Sequence, residues 1–328
     1  MISRRLVVVL LSFLFVLPVG SQTPKSSPSA REKVIFDTDI GDDIDDAFAL
    51  GLLLRSPQVE LLGVTSAWGD TALRARLLQR FVAAGGRGEI PVAVGRTTAP
   101  ATDAPFTQAA WARRQPVASQ PLPDAVSWML DQIRRAPGEI TLISVAPLTN
   151  VGDLLDRDPA LAHKLKRVVI MGGSVRRGYG DLGYRPDHGP DPEYNIRSDI
   201  AAARKLFASG IPLTVLPLDS TQLKLDENKR AALFSSDTPL TDAITTLYEQ
   251  WTLSTSNPTP TLYDILAVEQ VLDPQTCPVQ SMRLIVDDRG LTQETPGAAN
   301  VMVCLEPDSD RVFHLLLRRL IEGEINRS

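Results

Sequence analysis

Short runs of Val, Ile and Leu recur along the chain with helical patterns between them, and this alternation most narrows what it can fold into. The runs are Val34 to Phe36, Leu61 to Thr65, Pro91 to Val94, Ile140 to Val145, Val168 to Met171 and Ile211 to Leu216. Runs this compact and this uniformly apolar suit strands buried on both faces. Between them, Asp45 to Arg55, Thr71 to Ala84, Asp124 to Arg135, Leu148 to Asp156 and Asp199 to Ser209 carry apolar residues at helical spacing. The order predicts an α/β fold: a mostly parallel open sheet flanked by helices, with a Rossmann-like core.

Beyond these units the pattern changes. Helices are predicted around Asp242 to Leu253 and from Leu262 to Leu272, separated by a Pro-rich turn at Asn257 to Pro260. Strands at Met282 to Val286 and Asn300 to Leu305 follow, then an amphipathic helix from Asp310 to Gly323. No linker and no internal repeat interrupts the chain, so residues 33–325 are expected to form a single domain.

Ligands of parallel sheets sit beyond the carboxyl ends of the strands. The segments leaving those ends hold most of the unusual polar residues: Asp37 to Asp46, Ser66 to Asp70, Val145 to Asn150, Gly172 to Asn195 and Leu218 to Thr221. The first stands apart, because it places six aspartates in the ten residues Asp37 to Asp46. Gly41 permits a turn that lets acids from the strand end and the helix start converge. Carboxylates gathered this way repel one another and call for a cation, shared protons or a polyhydroxylated ligand. Calcium suits them, since it takes hard oxygen ligands in a flexible set. Helix capping is the plainer alternative, but it accounts for only one or two of the six. An EF-hand loop fails on spacing, and an Asp-x-Asp phosphoryl-transfer site is a minor alternative.

Composition limits the remaining classes. The 328 residues are 43% hydrophobic with a net charge of -5, which suits a globular protein and offers no basic stripe for nucleic acid. The arginines between Arg74 and Arg80 read as an ordinary solvated face. Arg4-Arg5, the apolar run Leu6 to Val19 and the small residues to Ser21 read as a secretory signal over residues 1–21, with residues 22–32 as a flexible lead-in. The apolar run is too short for a stable membrane anchor after cleavage, so a secreted or periplasmic location is expected. Cys277 and Cys304 can pair in such a compartment or remain buried thiols. With two cysteines and three scattered histidines, a zinc site has little to be built from.

Asp37-Thr38-Asp39-Ile40-Gly41 with Asp45-Asp46-Ala47 resembles the N-terminal signature of the inosine-uridine preferring nucleoside hydrolases. Matches continue in order at Gly63-Val64-Thr65, Ala146 to Asn150, Met171-Gly172-Gly173, Pro192 to Ile196, Leu218-Asp219, and Asp264 followed by Leu266-Ala267-Val268. The resemblance implies hydrolysis of the N-glycosidic bond of ribonucleosides with a bound Ca2+. Carried over residue by residue, it implies Asp39, Asp46 and Asp264 as metal ligands through their side chains and Val145 through its carbonyl. Asp45 would bind ribose hydroxyls, Glu193 and Asn195 the rest of the sugar, and Asp39 would act as base toward water. Asp70, Asp187 and Trp68 complete the expected substrate-binding set.

The departures concern the leaving group. Tyr263 stands where other members have a histidine that donates a proton to a purine, and Asp70 and Asp187 stand where asparagines are expected. Two extra residues lengthen the aspartate loop, and Thr97 to Pro116 offers Phe106 and Trp111 in place of a His-Gly element. His188 and Tyr263 are the candidates for the missing acid. The expected partner is a nucleoside or other N-riboside, with room for a homo-oligomer and no role for nucleic acid. The alternatives are a calcium- and ribose-binding relative without catalysis, and a metal-dependent phosphatase.

Overall fold

A computed structural model describes residues 31–98, 106–116, 120–182 and 189–322. Residues 1–21, nearly all of the lead-in, Asp187 and His188 lie outside the described residues. The first half runs β1 (Glu32–Thr38), α1 (Asp45–Leu54), β2 (Val59–Ser66), α2 (Thr71–Ala84), β3 (Val92–Val94), α3 (Ala109–Arg113), α4 (Ala125–Arg135), β4 (Ile140–Ser144), α5 (Thr149–Arg157), α6 (Pro159–Ala162) and β5 (Arg167–Met171). The second half continues α7 (Tyr194–Ser198), α8 (Ile200–Ala208), β6 (Leu213–Leu216), α9 (Leu218–Thr221), α10 (Glu227–Phe234), α11 (Pro239–Thr255) and α12 (Ile265–Leu272). It closes with β7 (Val279–Met282), β8 (Leu284–Val286), β9 (Thr292–Glu294), β10 (Val301–Cys304) and α13 (Ser309–Glu322).

Eight strands form one sheet in the order β3-β2-β1-β4-β5-β6-β10-β7, parallel except where β7 runs antiparallel to β10. The chain builds outward from β1 through β2 to β3, then returns to the other side of β1 at β4. That reversal opens a crevice at the carboxyl ends of β1 and β4, where α/β sheets bind ligands. β1 sits at the centre because it can bury both faces. Val34 and Phe36 enter the core under α1, α2 and α12, while Ile35 enters the core under α4, α5 and α8. Every residue of α1 is buried, so this helix is an internal one and its apolar residues need no single facing stripe.

Two sequence expectations change. Met282 to Val286 is not one strand: Val279–Met282 joins the main sheet, whereas Leu284–Val286 pairs with Thr292–Glu294 in a separate ribbon. Asn300 causes the break, because its side chain accepts from the Leu284 N–H and donates to the carbonyls of Leu284 and Phe207. A helix at Glu227–Phe234 was absent from the periodicity and is started by Asp226, whose carboxylate accepts from the Lys229 N–H. The open cysteine question resolves as a disulfide between Cys277 and Cys304, with Cα atoms 5.8 Å apart. It ties the turn after α12 to the end of β10. No helix among the described residues is long and apolar enough to cross a membrane.

Candidate functional site

The aspartate run leaves β1 at the crevice, and its members divide by depth. Asp37 is fully buried and accepts hydrogen bonds from Thr65 Oγ1 at 2.6 Å, Asn150 Nδ2 at 2.7 Å and Ser144 Oγ at 3.0 Å. These partners lie on or just after the neighbouring strands, so Asp37 locks the strand ends together. Asp45 and Asp46 open α1, where the helix dipole favours their charge. Asp264 immediately precedes α12, which packs against α1. Oxygens of Asp45, Asp46 and Asp264 meet within 4.8 Å of one another.

Three buried carboxylates at that distance strain each other electrostatically. Burial is the main cause that pushes Asp45, Asp46 and Asp264 well above the usual carboxylate range, and their mutual repulsion, together with that of Asp43 and Asp39, adds to it. Burial also raises Asp39 to about 7, against the pull of the Arg74 guanidinium. Thr38 Oγ1 braces Asp46 by a hydrogen bond. The donor set is all oxygen, and the Val145 carbonyl lies at the same edge, accepting from Asn195 Nδ2 at 3.2 Å. Such a set fits a hard divalent cation, which would relieve the repulsion. The expected ligands and the observed cluster differ in one member. Asp45, expected on the ribose, belongs to the cluster, whereas Asp39 lies outside it although its charge acts on all three.

Above the acids lies a cavity of about 460 Å³, large enough for a small ligand. Asp39, Asp45, Asp46, Val145, Asp264, Glu193, Asn195 and Tyr263 all reach it, although they come from four separate stretches of chain. Glu193 is the N-cap of α7, accepting from the N–H groups of Gly173 at 2.9 Å, Asn195 at 2.8 Å and Ile196 at 3.1 Å. Burial pushes its carboxyl up, and those three bonds pull it back toward the ionised form. Asn195 donates to the carbonyls of Val145 and Met171, which fixes its amide at the ends of β4 and β5. Tyr263 packs edge-on against Tyr179 with ring centroids 6.3 Å apart. Burial pushes its hydroxyl up to about 12, helped by Asp45, Asp43 and Glu193.

Asp70 and Trp68 do not line the cavity. Asp70 is exposed and caps α2, accepting from the Leu73 N–H at 3.0 Å. Trp68, at φ 62°, turns its carbonyl toward Arg74, accepting from the guanidinium Nε at 2.9 Å. Trp111 is buried beneath Arg80, whose guanidinium carbon lies 4.0 Å from the ring centroid.

Arg74 overturns the reading of its segment as a solvated face. It is 3% exposed and donates to the carbonyls of Trp68, Asp39 and Ile40 and to the Asp42 carboxylate at 3.0 Å. This one cation pins the whole aspartate loop. Gly41, at φ +135°, is required beside it, since a Cβ there would come within 2.7 Å of Phe106. Gln108 and Thr107 hold the loop from the other side, through the carbonyls of Asp43, Gly41 and Asp42. The excess of acid was the available signal that a buried counter-ion exists, although nothing local singles out Arg74.

A parallel sheet with buried acids under a small-ligand cavity at its switch point defines the class as an α/β protein with a metal-competent strand-end site. The chain belongs to the inosine-uridine preferring nucleoside hydrolase family, whose pattern matches residues 34–314. It is 30% identical over 283 residues to a non-specific ribonucleoside hydrolase of Salmonella paratyphi A, covering 80% of this chain and 86% of that protein. It is 32% identical over 212 residues to uridine nucleosidase 1 of Arabidopsis thaliana, covering 60% of each. The matched region spans 58% to 65% of the length of the first four curated relatives. Among solved structures, a plant nucleoside hydrolase superposes with a TM-score of 0.75 at 24% identity, over 88% of this chain and 99% of that one. A purine-preferring ribonucleoside hydrolase from Gardnerella vaginalis gives 0.72 at 22% identity, over 88% and 98%. These two likenesses concern the fold.

Proposed function

We propose that this protein hydrolyses the N-glycosidic bond of ribonucleosides, releasing free base and ribose, with calcium as its resident ion. One observation carries the reading: Asp45, Asp46 and Asp264 converge within 4.8 Å beneath the cavity of a chain that belongs to this family. Asp46, Asp264 and the Val145 carbonyl would hold the ion, with Asp39 and Asp45 beside it. When bound, calcium supplies positive charge that holds the ribose diol and makes water more acidic.

The residues of the chain do the rest. Glu193 and Asn195, fixed at the ends of β5 and α7, bind the far side of the sugar. Asp39, beside the ion, takes a proton from the attacking water. The water oxygen bonds to the anomeric carbon as the bond to the base nitrogen breaks, and the electron pair leaves with the base. Positive charge that develops on the sugar ring faces the surrounding carboxylates, which stabilise it. Tyr263 keeps its proton through the neutral range and offers it as a hydrogen bond to the departing base, a role for which His188 is the other candidate.

A panel of inosine, uridine and a nitrophenyl riboside, assayed with and without a chelator, tests reaction, substrate and metal together. Release of base and ribose that stops on chelation and returns with calcium is expected. Ribose binding without turnover on any member would favour a binding protein instead. Residues 1–21 are further proposed to direct export to a secreted or periplasmic location, which the Cys277–Cys304 disulfide supports. The amino-terminal residue of the protein recovered from its host should lie just beyond Ser21; an intact Met1 would refute export by cleavage.

A further inference from the structure

Leu218 and Asp219 belong to the motifs matched in sequence, yet neither lines the cavity and the reaction above gives them no task. Asp219 is 6% exposed on α9, the short helix at the carboxyl end of β6. Its two carboxylate oxygens accept from the N–H groups of Val175 at 2.9 Å and Arg176 at 2.8 Å. Burial pushes the carboxyl up, and these N–H groups pull it back toward the ionised form. Gln222, just after the same helix, accepts from the Gly180 N–H at 2.7 Å and donates to the carbonyls of Gly178 at 3.1 Å and Asp181 at 3.0 Å. The Leu218 N–H donates to the Gly173 carbonyl at 2.9 Å. Residues 173–181 form no helix or strand that would satisfy these backbone groups, and α9 satisfies them instead.

The consequence falls on Tyr179. It lies within the turn that α9 holds, lines the cavity and packs edge-on against Tyr263. Its N–H donates to the Asp191 carboxylate at 2.8 Å, and its hydroxyl accepts from the Tyr194 N–H at 2.9 Å. Tyr194 is the first residue of α7, and the opening N–H groups of a helix have no partner within it. Glu193 takes those of Asn195 and Ile196, together with that of Gly173. Tyr179 takes that of Tyr194. Without the Tyr179 hydroxyl, the Tyr194 N–H would compete for the Glu193 carboxylate that caps the same turn.

Resting on the nucleoside hydrolase reading, we propose that Asp219 and Tyr179 are positioning residues for Glu193. Asp219 fixes the turn, the turn sets the Tyr179 hydroxyl at the start of α7, and the hydroxyl leaves Glu193 aimed at the sugar. Gly173, whose N–H holds the Glu193 carboxylate directly, lies two residues before the first N–H group that Asp219 takes. Asp219 therefore acts on Glu193 from both sides of the turn without touching the substrate.

The test measures kcat and KM for uridine and inosine in the calcium-loaded protein, in Tyr179→Phe, in Asp219→Asn and in the double variant. Tyr179→Phe keeps the ring and removes the acceptor. Asp219→Asn keeps the shape and turns an N–H donor toward one of the two backbone N–H groups. Each single variant is expected to raise KM about tenfold, by the same factor for both substrates because the sugar is common to them. Loss of sugar binding alone leaves kcat within about twofold of wild type. The double variant should be no worse than the worse single one, since both break one path. Calcium affinity, read by chelator competition, should stay at the wild-type value, as it would not if the fold merely loosened. An unchanged KM in either single variant, effects that differ between uridine and inosine, additive effects in the double variant, or a parallel fall in calcium affinity overturns the positioning role alone. Absence of turnover of both substrates by wild type would instead overturn the hydrolase reading on which it rests.

Discussion

The two ends of the cavity are built in different ways. The deep end takes Asp39, Asp46, Val145, Glu193 and Asn195 from the ends of buried strands or the starts of the helices that follow them. Its geometry is inherited from the sheet, because Asp37 ties the ends of β1, β2 and β4 together and Asn195 joins the end of β5 to that of β4. The outer end takes Asp43, Thr107, Tyr179, Trp251 and Thr255 from loops and from the C-terminal end of α11. Some of these depend on long-range contacts, such as that of Thr107 with the carbonyls of Gly41 and Asp42. A rigid end suits the constant part of a substrate and an assembled end suits the variable part. Under the proposed function the ribose would take the rigid end and the base the assembled one.

Asp39→Ala should break the deep end most severely. Loss of the base alone costs about 10²- to 10⁴-fold in kcat/KM, and the protein should remain folded by circular dichroism. Retained turnover would remove Asp39 from the chemistry. Arg74→Met should break the link between the ends, because it leaves the Asp42 carboxylate and three carbonyls without their buried donor. A loss of about 1 to 3 kcal/mol in denaturant-derived stability is expected, chiefly from the carbonyls left without a donor, and Arg74→Lys should recover little, lacking the forked geometry. A cost under about 1 kcal/mol would show that the loop holds without it.

The smallest effect concerns Glu269, on α12 behind the deep end. It is fully buried, neither carboxyl oxygen has a hydrogen-bond partner among the described residues, and burial pushes it well above the usual range, with Asp273 adding to the shift. Folded Glu269 keeps a proton that the unfolded chain releases above its ordinary value of 4.5, so folding binds a proton and stability falls as pH rises from there. Glu269→Gln mimics the protonated form and removes that penalty. The variant should gain about 1 to 2 kcal/mol over wild type at pH 7 and much less at pH 5, read from paired denaturation curves. An equal gain at both values would mean that Glu269 does not titrate in that interval.

The same division governs what could be read in advance. The parallel sheet was legible because strands buried on both faces leave continuous apolar runs. Asp39, Asp46, Asp264, Glu193 and Asn195 were legible because they follow such runs or open helices. Arg74 was not, since its neighbours in sequence are other arginines and only burial distinguishes it from them. The split between β7 and β8 was equally hidden, because the hydrogen bonds of Asn300 come from distant backbone.

From sequence alone, the chain determined its α/β class, its family and the edge of the sheet at which its acids gather, because each depends on local pattern and spacing. Tertiary structure alone decided that Asp45 joins Asp46 and Asp264, that Arg74 holds the loop, that Cys277 meets Cys304, and that Gln108 reaches the Asp43 carbonyl. The physical reason is range. Periodicity and turn chemistry act over a few residues, whereas each of those contacts joins side chains whose separation in sequence carries no energetic trace until the core has formed.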